Sequence, residues 1–165
     1  PRELDVDLLG SNTEEGSLSL ILAPSVGVVR EIVGRYGLDL SKLTVAVVGV
    51  GKLVGAPTSV WLEGRCNRLI LLDKGDDLSR TMEADLVISG VGIPGIIKLD
   101  NLKEGAAVID FGVGKSGDTL GGDLEDGDLE KLSLYTPTPG GTGPILVAKL
   151  MENFYILSGV KKIGQ

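Results

Sequence analysis

Residues 44–55 read TVAVVGVGKLVG. An apolar run, Thr44 to Val48, is followed directly by Gly49, Gly51 and Gly55, in a spacing one residue longer than the common dinucleotide-binding fingerprint. Glycine at 49 lets the chain turn tightly, and glycine at 51 lets the backbone approach a pyrophosphate at the start of the following helix. The pattern predicts a strand, a phosphate-binding turn and a helix. A turn that binds no nucleotide is the alternative, because such glycine patterns are permissive.

An acidic residue lies where dinucleotide-binding domains place the group that contacts the adenosine ribose. Asp73 follows a second apolar run, at close to the offset of roughly 20 residues at which such an acid occurs. A carboxylate there accepts hydrogen bonds from the ribose hydroxyls and repels the 2′-phosphate of NADP. The sequence therefore predicts NAD as the preferred cofactor. The alternative is that Asp73 and its charged neighbours Lys74, Asp76 and Asp77 form a solvated turn.

Short apolar runs recur along the chain and predict the strands of one sheet. Their residues are nearly continuously apolar instead of alternating, which is typical of strands buried on both faces of a parallel sheet. The predicted strands are Thr44–Val48, Leu69–Leu72, Asp85–Ser89, Ala106–Asp110 and Ser133–Thr136. Helical segments between them suit the right-handed crossovers of such a sheet. The predicted fold class is α/β, a Rossmann-like doubly wound and mostly parallel sheet in a single domain.

Four segments carry helical signals. They are Ser25–Tyr36, Val54–Glu63, Leu78–Met82 and Pro144–Leu157. Ser25 is expected to be the N-cap of the first helix and Gly37 to end it. The last helix is apolar over most of its surface and is therefore expected to be largely buried. Because the opening of the chain is polar and acidic, residues 1–24 are predicted to be an extended arm or interdomain segment, ahead of an NAD(P)-binding domain over residues 25–165.

Composition excludes several kinds of site. The 165 residues include 16 Lys and Arg, 23 Asp and Glu and no His, for a formal net charge of −7, which disfavours a nucleic-acid partner. The lack of His and the single Cys66 exclude a disulfide framework, His-based catalysis and an ordinary zinc centre, so no metal site is expected. The lone cysteine, the lack of a secretory leader and the lack of an apolar run of about 20 residues predict a cytoplasmic protein without a membrane span.

Residues 136–144 read TPTPGGTGP and follow the last predicted strand, where open α/β sheets bind ligands. This segment resembles the T-P-V-P-G-G-V-G-P signature of the bifunctional methylenetetrahydrofolate dehydrogenase/methenyltetrahydrofolate cyclohydrolase family. Five further stretches resemble family motifs, so that the resemblance covers nearly the whole chain. They are LDVD, VVGVGKLVGAP, EADLVISGVGIPG, KEGAAVIDFGV and GGDL.

The resemblance implies hydride transfer from 5,10-methylenetetrahydrofolate to a nicotinamide cofactor, followed in the family by hydrolysis of the methenyl product. By position, Gly49, Val50 and Gly51 would contact the cofactor phosphates, Asp73 the ribose and Val113 the nicotinamide end. The residues that match the folate-binding positions are Asp7, Pro139, Gly140, Gly141, Thr142 and Gly143. No residue of this chain is assigned a catalytic role. The implied partners are a tetrahydrofolate derivative and a second copy in a homodimer.

The chain departs from the family pattern in three places. Val50-Gly51 replaces Arg-Ser and Leu72-Asp73 replaces His-Ser, so groups suited to a 2′-phosphate are lost, in agreement with a preference for NAD. Residues 23–26 read APSV where the family has P-C-T-P. No Tyr-x-x-x-Lys occurs, so the lysine that the family uses in the cyclohydrolase step has no counterpart. The missing catalytic half is expected to be a fragment cut from the same polypeptide or to be supplied as another chain.

Two other functions are compatible with the sequence. A homologue that has lost cofactor binding would act as a binding or dimerisation module, which the substitutions at Val50, Gly51 and Leu72 permit. A dehydrogenase domain of amino-acid or shikimate type would share the glycine turn, although TPTPGGTGP argues against it.

Overall fold

The described part of the chain contains seven strands, including the five that the apolar runs predict. The structure is a computed structural model that describes residues 21–158. The strands are β1 (Thr44–Val48), β2 (Arg68–Leu72), β3 (Leu86–Ser89), β4 (Ala107–Asp110), β5 (Gly114–Ser116), β6 (Thr119–Gly121) and β7 (Leu134–Tyr135). The bounds of β1 agree with the prediction, and those of the other four predicted strands differ by one or two residues.

Five of the strands form one sheet in the order β2-β1-β3-β4-β7, and every neighbouring pair is parallel. Val48, the last residue of β1, is in register with Leu72 on one side and with Ser89 on the other. The chain therefore leaves β1 to one side for β2 and crosses to the other side for β3. That change of direction makes a crevice at the carboxyl end of β1, where open sheets bind ligands. The Rossmann-like α/β prediction is confirmed.

Between residues 21 and 158, three α-helices accompany the sheet: α1 (Pro24–Arg35), α2 (Gly55–Leu62) and α3 (Thr142–Leu157). The prediction of Ser25 as the N-cap of α1 is wrong. Ala23 holds the cap position and Pro24 opens the helix, where its fixed φ is already helical. Gly37, with a φ of +65°, lies just beyond the end of α1, as predicted.

Two other local predictions need correction. The segment Leu78–Glu83 is a 3₁₀ helix and not an α-helix, and α3 begins at Thr142, two residues before Pro144. The antiparallel pair β5–β6 was not predicted. Its strands of three residues are polar and glycine-rich, so they carry no hydrophobic period that sequence analysis could detect.

Both faces of the sheet are covered. Successive strand residues point to opposite faces, so the continuous run Val45–Val48, at most 2% exposed, supplies both cores. On one face α1, Leu62 of α2 and the start of α3 pack against the sheet. The other face is covered by short elements, the 3₁₀ helices Leu78–Glu83 and Leu99–Asn101 and the loops that follow them.

The expectation that α3 is largely buried is wrong within the described residues. Ile145 and Leu146 pack against the core, and the side-chain amide of the buried Asn153 donates to the Leu22 carbonyl at 2.8 Å. Five other apolar side chains are between 42% and 57% exposed: Val147, Met151, Phe154, Tyr155 and Ile156. The helix therefore presents an apolar surface that no described residue covers. Within residues 21–158 no helix is both long and apolar enough to cross a membrane.

Candidate functional site

The glycine turn lies at the carboxyl end of β1, inside the crevice. Gly49 has a φ of +83°, and its N–H donates to the Leu72 carbonyl at 2.8 Å, so the turn begins beside the end of β2. A Cβ on Gly49 would lie 2.9 Å from Val91 Cγ2, and a Cβ on Gly55 would lie 1.9 Å from the Gly49 carbonyl oxygen. Glycine is therefore required at 49 and 55 by the packing of the turn itself.

Gly51 is different, because the fold does not require it. The residue is exposed, and a Cβ built on it meets no described atom within 4 Å. The space beside Gly51 is open, as it must be for the backbone to approach a pyrophosphate. Val50 is half-buried next to it, and α2 starts four residues later without a side-chain cap. The Ala56 N–H donates to the Gly51 carbonyl at 2.9 Å and Pro57 has no N–H, so these two positions of the first turn offer no amide to an anion.

Asp73 follows the last residue of β2 and is exposed. Its N–H donates to Asp76 Oδ2 at 2.8 Å, and its carbonyl accepts from the Asp76 N–H at 3.0 Å. These bonds use the main chain of Asp73 and leave its carboxylate at the surface, one residue beyond the Leu72 carbonyl that holds the glycine turn. A dinucleotide spanning this crevice would place its adenosine half toward β2 and its nicotinamide half toward β3 and β4.

A cavity of about 380 Å³ opens on the other side of the glycine turn. Its volume is in the range of small-molecule sites. The wall combines residues from four parts of the chain and includes no ionisable side chain among those the structure describes. They are Pro24, Ser25, Leu53, Val54, Phe111, Val113, Leu146, Leu150 and the loop 137–143. The cavity thus joins the segment after Gly51, the predicted nicotinamide contact Val113 and the predicted folate-lining loop.

Three threonines of TPTPGGTGP hold the loop against the end of β4. Thr136 Oγ1 accepts from the Asp110 N–H at 2.8 Å, and Thr142 Oγ1 donates to the Asp110 carbonyl at 3.0 Å. Thr138 Oγ1 donates to the Gly112 carbonyl at 3.3 Å. These bonds give the threonines a structural role, and they set the distance between the loop and Val113.

The predicted folate-lining residues come together at the cavity. Pro139 follows a cis peptide bond and is exposed, as are Gly140, with a φ of +101°, and Gly143. Thr142 is buried and Gly141 is half-buried. A Cβ on Gly141 would lie 2.5 Å from the Pro137 carbonyl oxygen, so the packing of the loop requires glycine there. Asp7 lies outside the described residues.

Two buried carboxylates were not singled out by the sequence analysis. Asp110 is 1% exposed and Asp123 is 0% exposed. Burial raises the pKa of Asp110 to about 6, and the nearby charge of Asp123 adds to the rise, against amide groups that favour the ionised form. The sequence offered one signal for them, a glycine close to each carboxylate: Asp110 begins the stretch DFG, and Asp123 ends the stretch GGD. Within residues 21–158 no group of three or more carboxylate or Cys side chains is placed to hold a metal ion.

Comparison with known proteins gives one consistent family. Residues 23–162 match the family described as tetrahydrofolate dehydrogenase/cyclohydrolase, NAD(P)-binding domain. Among relatives, the bifunctional protein FolD of a Nitratiruptor species is 37% identical over 131 residues, which are 76% of this chain and 45% of that protein. The chain spans about half the length of the curated relatives it matches.

Solved structures agree with the sequence relatives. The bifunctional 5,10-methylenetetrahydrofolate dehydrogenase/cyclohydrolase from Thermoplasma acidophilum superposes with a TM-score of 0.82 at 29% identity, over 99% of this chain and 61% of that one. The FolD enzyme from Campylobacter jejuni gives a TM-score of 0.79 at 29% identity, over 94% of this chain and 58% of that one.

Proposed function

The chain belongs to the tetrahydrofolate dehydrogenase/cyclohydrolase family as its NAD(P)-binding domain, and on this premise we propose that it is the cofactor-binding half of a methylenetetrahydrofolate dehydrogenase. The reaction is hydride transfer from 5,10-methylenetetrahydrofolate to a nicotinamide dinucleotide, in one-carbon metabolism. The observation that carries the proposal is the shared cavity, in which Leu53 and Val54, Val113 and the loop 137–143 face one space. That arrangement suits a reaction in which two ligands must meet.

The glycine turn fits a dinucleotide. The space beside Gly51 is open to an approaching pyrophosphate, and Gly49 and Gly55 hold the turn in the shape that leaves it open. When bound, the nicotinamide supplies the hydride acceptor. This chain's residues bind and orient it: Gly49, Val50 and Gly51 at the phosphates, and Val113 at the nicotinamide end. The apolar wall of the cavity excludes water from the place where the ligands meet.

The preferred cofactor in this proposal is NAD. Asp73 lies exposed at the end of β2, beside the glycine turn, where its carboxylate can accept from the ribose hydroxyls. The residues at the family's Arg and His positions are Val50 and Leu72, which offer no positive charge to a 2′-phosphate. Like-charge repulsion from Asp73 then disfavours NADP.

Isothermal titration of the 165-residue chain with NAD⁺ and with NADP⁺ tests the proposal. We expect saturable binding of NAD⁺ and weaker binding of NADP⁺. Equal or stronger binding of NADP⁺ would contradict the cofactor preference alone. No binding of either would contradict the enzyme assignment and favour the alternative, a homologue that serves as a binding or dimerisation module.

Folate chemistry needs groups that this chain lacks. We propose that a catalytic half, from the same polypeptide or from another chain, completes the site, because no Tyr-x-x-x-Lys occurs in these 165 residues. Pro139, Gly140, Gly141, Thr142 and Gly143 line the folate side in this proposal, with Asp7 holding the pterin. Adding the amino-terminal half of a family member should give dehydrogenase activity with methylenetetrahydrofolate. No activity after addition of a half that is shown to be folded would count against the proposed folate site.

The proposed assembly is a homodimer. Exposed apolar side chains on α3, among them Met151 and Phe154, leave surface available for association. Sedimentation equilibrium of the chain should give twice its mass. A monomer at all concentrations up to about 100 μM, well above ordinary dimer dissociation constants, would refute the homodimer.

A further inference from the structure

Asp110 and Asp123 are buried behind the crevice, and the proposed contacts to cofactor and folate do not use them. Asp110 is the last residue of β4. Asp123 lies in the segment 121–124, and its carboxylate contacts the residues that follow β3. Buried carboxylates are costly unless hydrogen bonds compensate their lost hydration. The bonds they make show what each of them holds in place.

Asp123 organises the chain that follows β3. Its Oδ2 accepts from Ser89 Oγ at 2.6 Å and from the Val91 N–H at 2.7 Å. Its Oδ1 accepts from the N–H groups of Gly92 and Ile93, each at 2.8 Å. Three successive amides directed at one anion form a concave anion-binding site of the main chain. Because a side chain of the protein already fills it, these amides are not available to a cofactor phosphate, and the path of residues 91–93 is fixed.

Asp110 makes the complementary set of bonds. Its Oδ1 accepts from the Gly112 N–H at 2.7 Å, and its Oδ2 accepts from the Leu124 N–H at 2.9 Å. Its main chain is bonded to Thr136 and Thr142 of the loop. The residue therefore links the end of β4 both to the segment carrying Asp123 and to the folate-lining loop.

Two glycines make the arrangement possible. A Cβ on Gly112 would lie 2.1 Å from Asp123 Cγ, and a Cβ on Gly122 would lie 2.3 Å from Asp110 Oδ2. Each carboxylate thus lies against a glycine of the other segment. The sequences Asp110-Phe-Gly112 and Gly122-Asp123 interlock, and neither glycine can carry a side chain without displacing the opposite carboxylate.

We propose that Asp123 is a positioning residue for the nicotinamide half of the cofactor site. It fixes residues 91–93 after β3 and lies against Gly112, the residue before Val113 in the cavity wall. Both segments lie on the β3 and β4 side of the crevice, whereas the adenosine half belongs to the β2 side. The inference rests on the proposed function, because it assumes that a nicotinamide dinucleotide occupies the crevice.

Asp123→Asn tests the inference because it replaces the carboxylate, which only accepts hydrogen bonds, with a neutral amide of nearly the same size. The probes are NAD⁺ and ADP-ribose, which has the adenosine half and pyrophosphate but no nicotinamide. We expect the dissociation constant for NAD⁺ to rise at least about tenfold, as for the loss of buried charged hydrogen bonds, and that for ADP-ribose to change less than about threefold. A purely structural role would weaken both ligands together, and that result would overturn the inference.

A gentler variant keeps the test decisive if Asp123→Asn fails to fold. Ser89→Ala removes one of the four donors and should raise the NAD⁺ dissociation constant by about threefold, with ADP-ribose unaffected. The matched control is Thr81→Ala, which removes another buried hydroxyl, bonded to the Leu78 and Asn101 carbonyls. It should lower the melting temperature and leave both affinities unchanged.

The proposed function and the role of Asp123 fail in different ways. If the unaltered chain binds neither NAD⁺ nor ADP-ribose, the proposed function falls and this inference falls with it. If the unaltered chain binds both, and Ser89→Ala changes neither affinity or changes both equally, the inference alone is overturned.

Discussion

The carboxylate of Asp73 is the side chain on which the proposed choice of cofactor depends. Asp73→Ser removes the charge and keeps a hydroxyl that can accept a hydrogen bond from the ribose. We expect NADP⁺ to gain roughly 1 to 3 kcal/mol relative to NAD⁺, because like-charge repulsion of the 2′-phosphate disappears. Isothermal titration with both cofactors measures the change.

The control for Asp73→Ser is Asp100→Ser. Asp100 is an exposed carboxylate on the 3₁₀ helix Leu99–Asn101, which precedes β4 and is remote in sequence from the glycine turn. Asp100→Ser removes the same unit of net charge and should leave the ratio of the NAD⁺ and NADP⁺ affinities unchanged. Identical affinities before and after Asp73→Ser would show that the residue belongs to a solvated turn.

A substitution at Gly51 distinguishes an effect on cofactor binding from an effect on folding. Because a Cβ there meets no described atom within 4 Å, Gly51→Val should keep the fold while obstructing the pyrophosphate. We expect cofactor binding to be lost and the melting temperature to stay within a few degrees of its original value, in titration and thermal unfolding experiments. Gly34→Val is the matched control, since Gly34 on α1 also has open space around it. Normal binding by Gly51→Val would show that the turn contacts no cofactor.

The packing of α2 against the glycine turn depends on the glycine at position 55. Gly55 opens the helix, and a Cβ on it would lie 1.9 Å from the Gly49 carbonyl oxygen, in backbone that cannot move aside cheaply. Gly55→Ala should therefore lower the free energy of unfolding by about 3 kcal/mol, at the upper end of ordinary overpacking costs. Urea denaturation measures the loss. Gly51→Ala, four residues away and unobstructed, should change stability by less than about 1 kcal/mol.

The glycine turn that precedes α2 contains glycines of two kinds. Gly49 and Gly55 are glycines because the turn must pack, and Gly51 is a glycine that packing does not require. A cofactor supplies a reason for the third glycine. The assignment of Gly49, Val50, Gly51, Gly55, Asp73 and Val113 to the cofactor stays a prediction until binding is measured.

For the molecule as a whole, Asp110 couples stability to pH. Burial raises its pKa to about 6, from an ordinary value of 3.8, so the folded protein holds this proton more tightly than the unfolded chain does. The stabilising contribution is therefore fully present below about pH 4 and is lost as the pH rises through 6. A shift of about 2 units corresponds to about 3 kcal/mol.

Asp110→Asn cannot titrate and isolates this contribution. We expect the stability of the unaltered protein, relative to the variant, to fall by about 3 kcal/mol between pH 4 and pH 7. Denaturant titrations of both proteins at several pH values in that interval give the difference directly, and the contributions of carboxyl groups remote from Asp110 cancel in it. A difference that does not vary with pH would contradict the raised pKa.

Much of the fold and site could be predicted from residue types alone. The strands were found because residues buried on both faces of a parallel sheet must be apolar without interruption, as in Thr44–Val48. The glycine turn after β1 and the turn-forming path of the TPTPGGTGP loop could be predicted because such backbone paths need glycine and proline at particular positions. These requirements are local, and a local requirement is visible in the sequence.

Other features depended on which segments the fold brings together. The apolar pattern of α3 could not show that one side would lack a partner among the described residues, because hydrophobicity specifies a need for burial and not the surface that meets it. The short hairpin β5–β6 carries no apolar period. The interlocked carboxylates Asp110 and Asp123 are separated along the chain and meet only because β3, β4 and the segment 121–124 end at the same edge of the sheet. Their role is a matter of contact geometry, which only the folded chain provides.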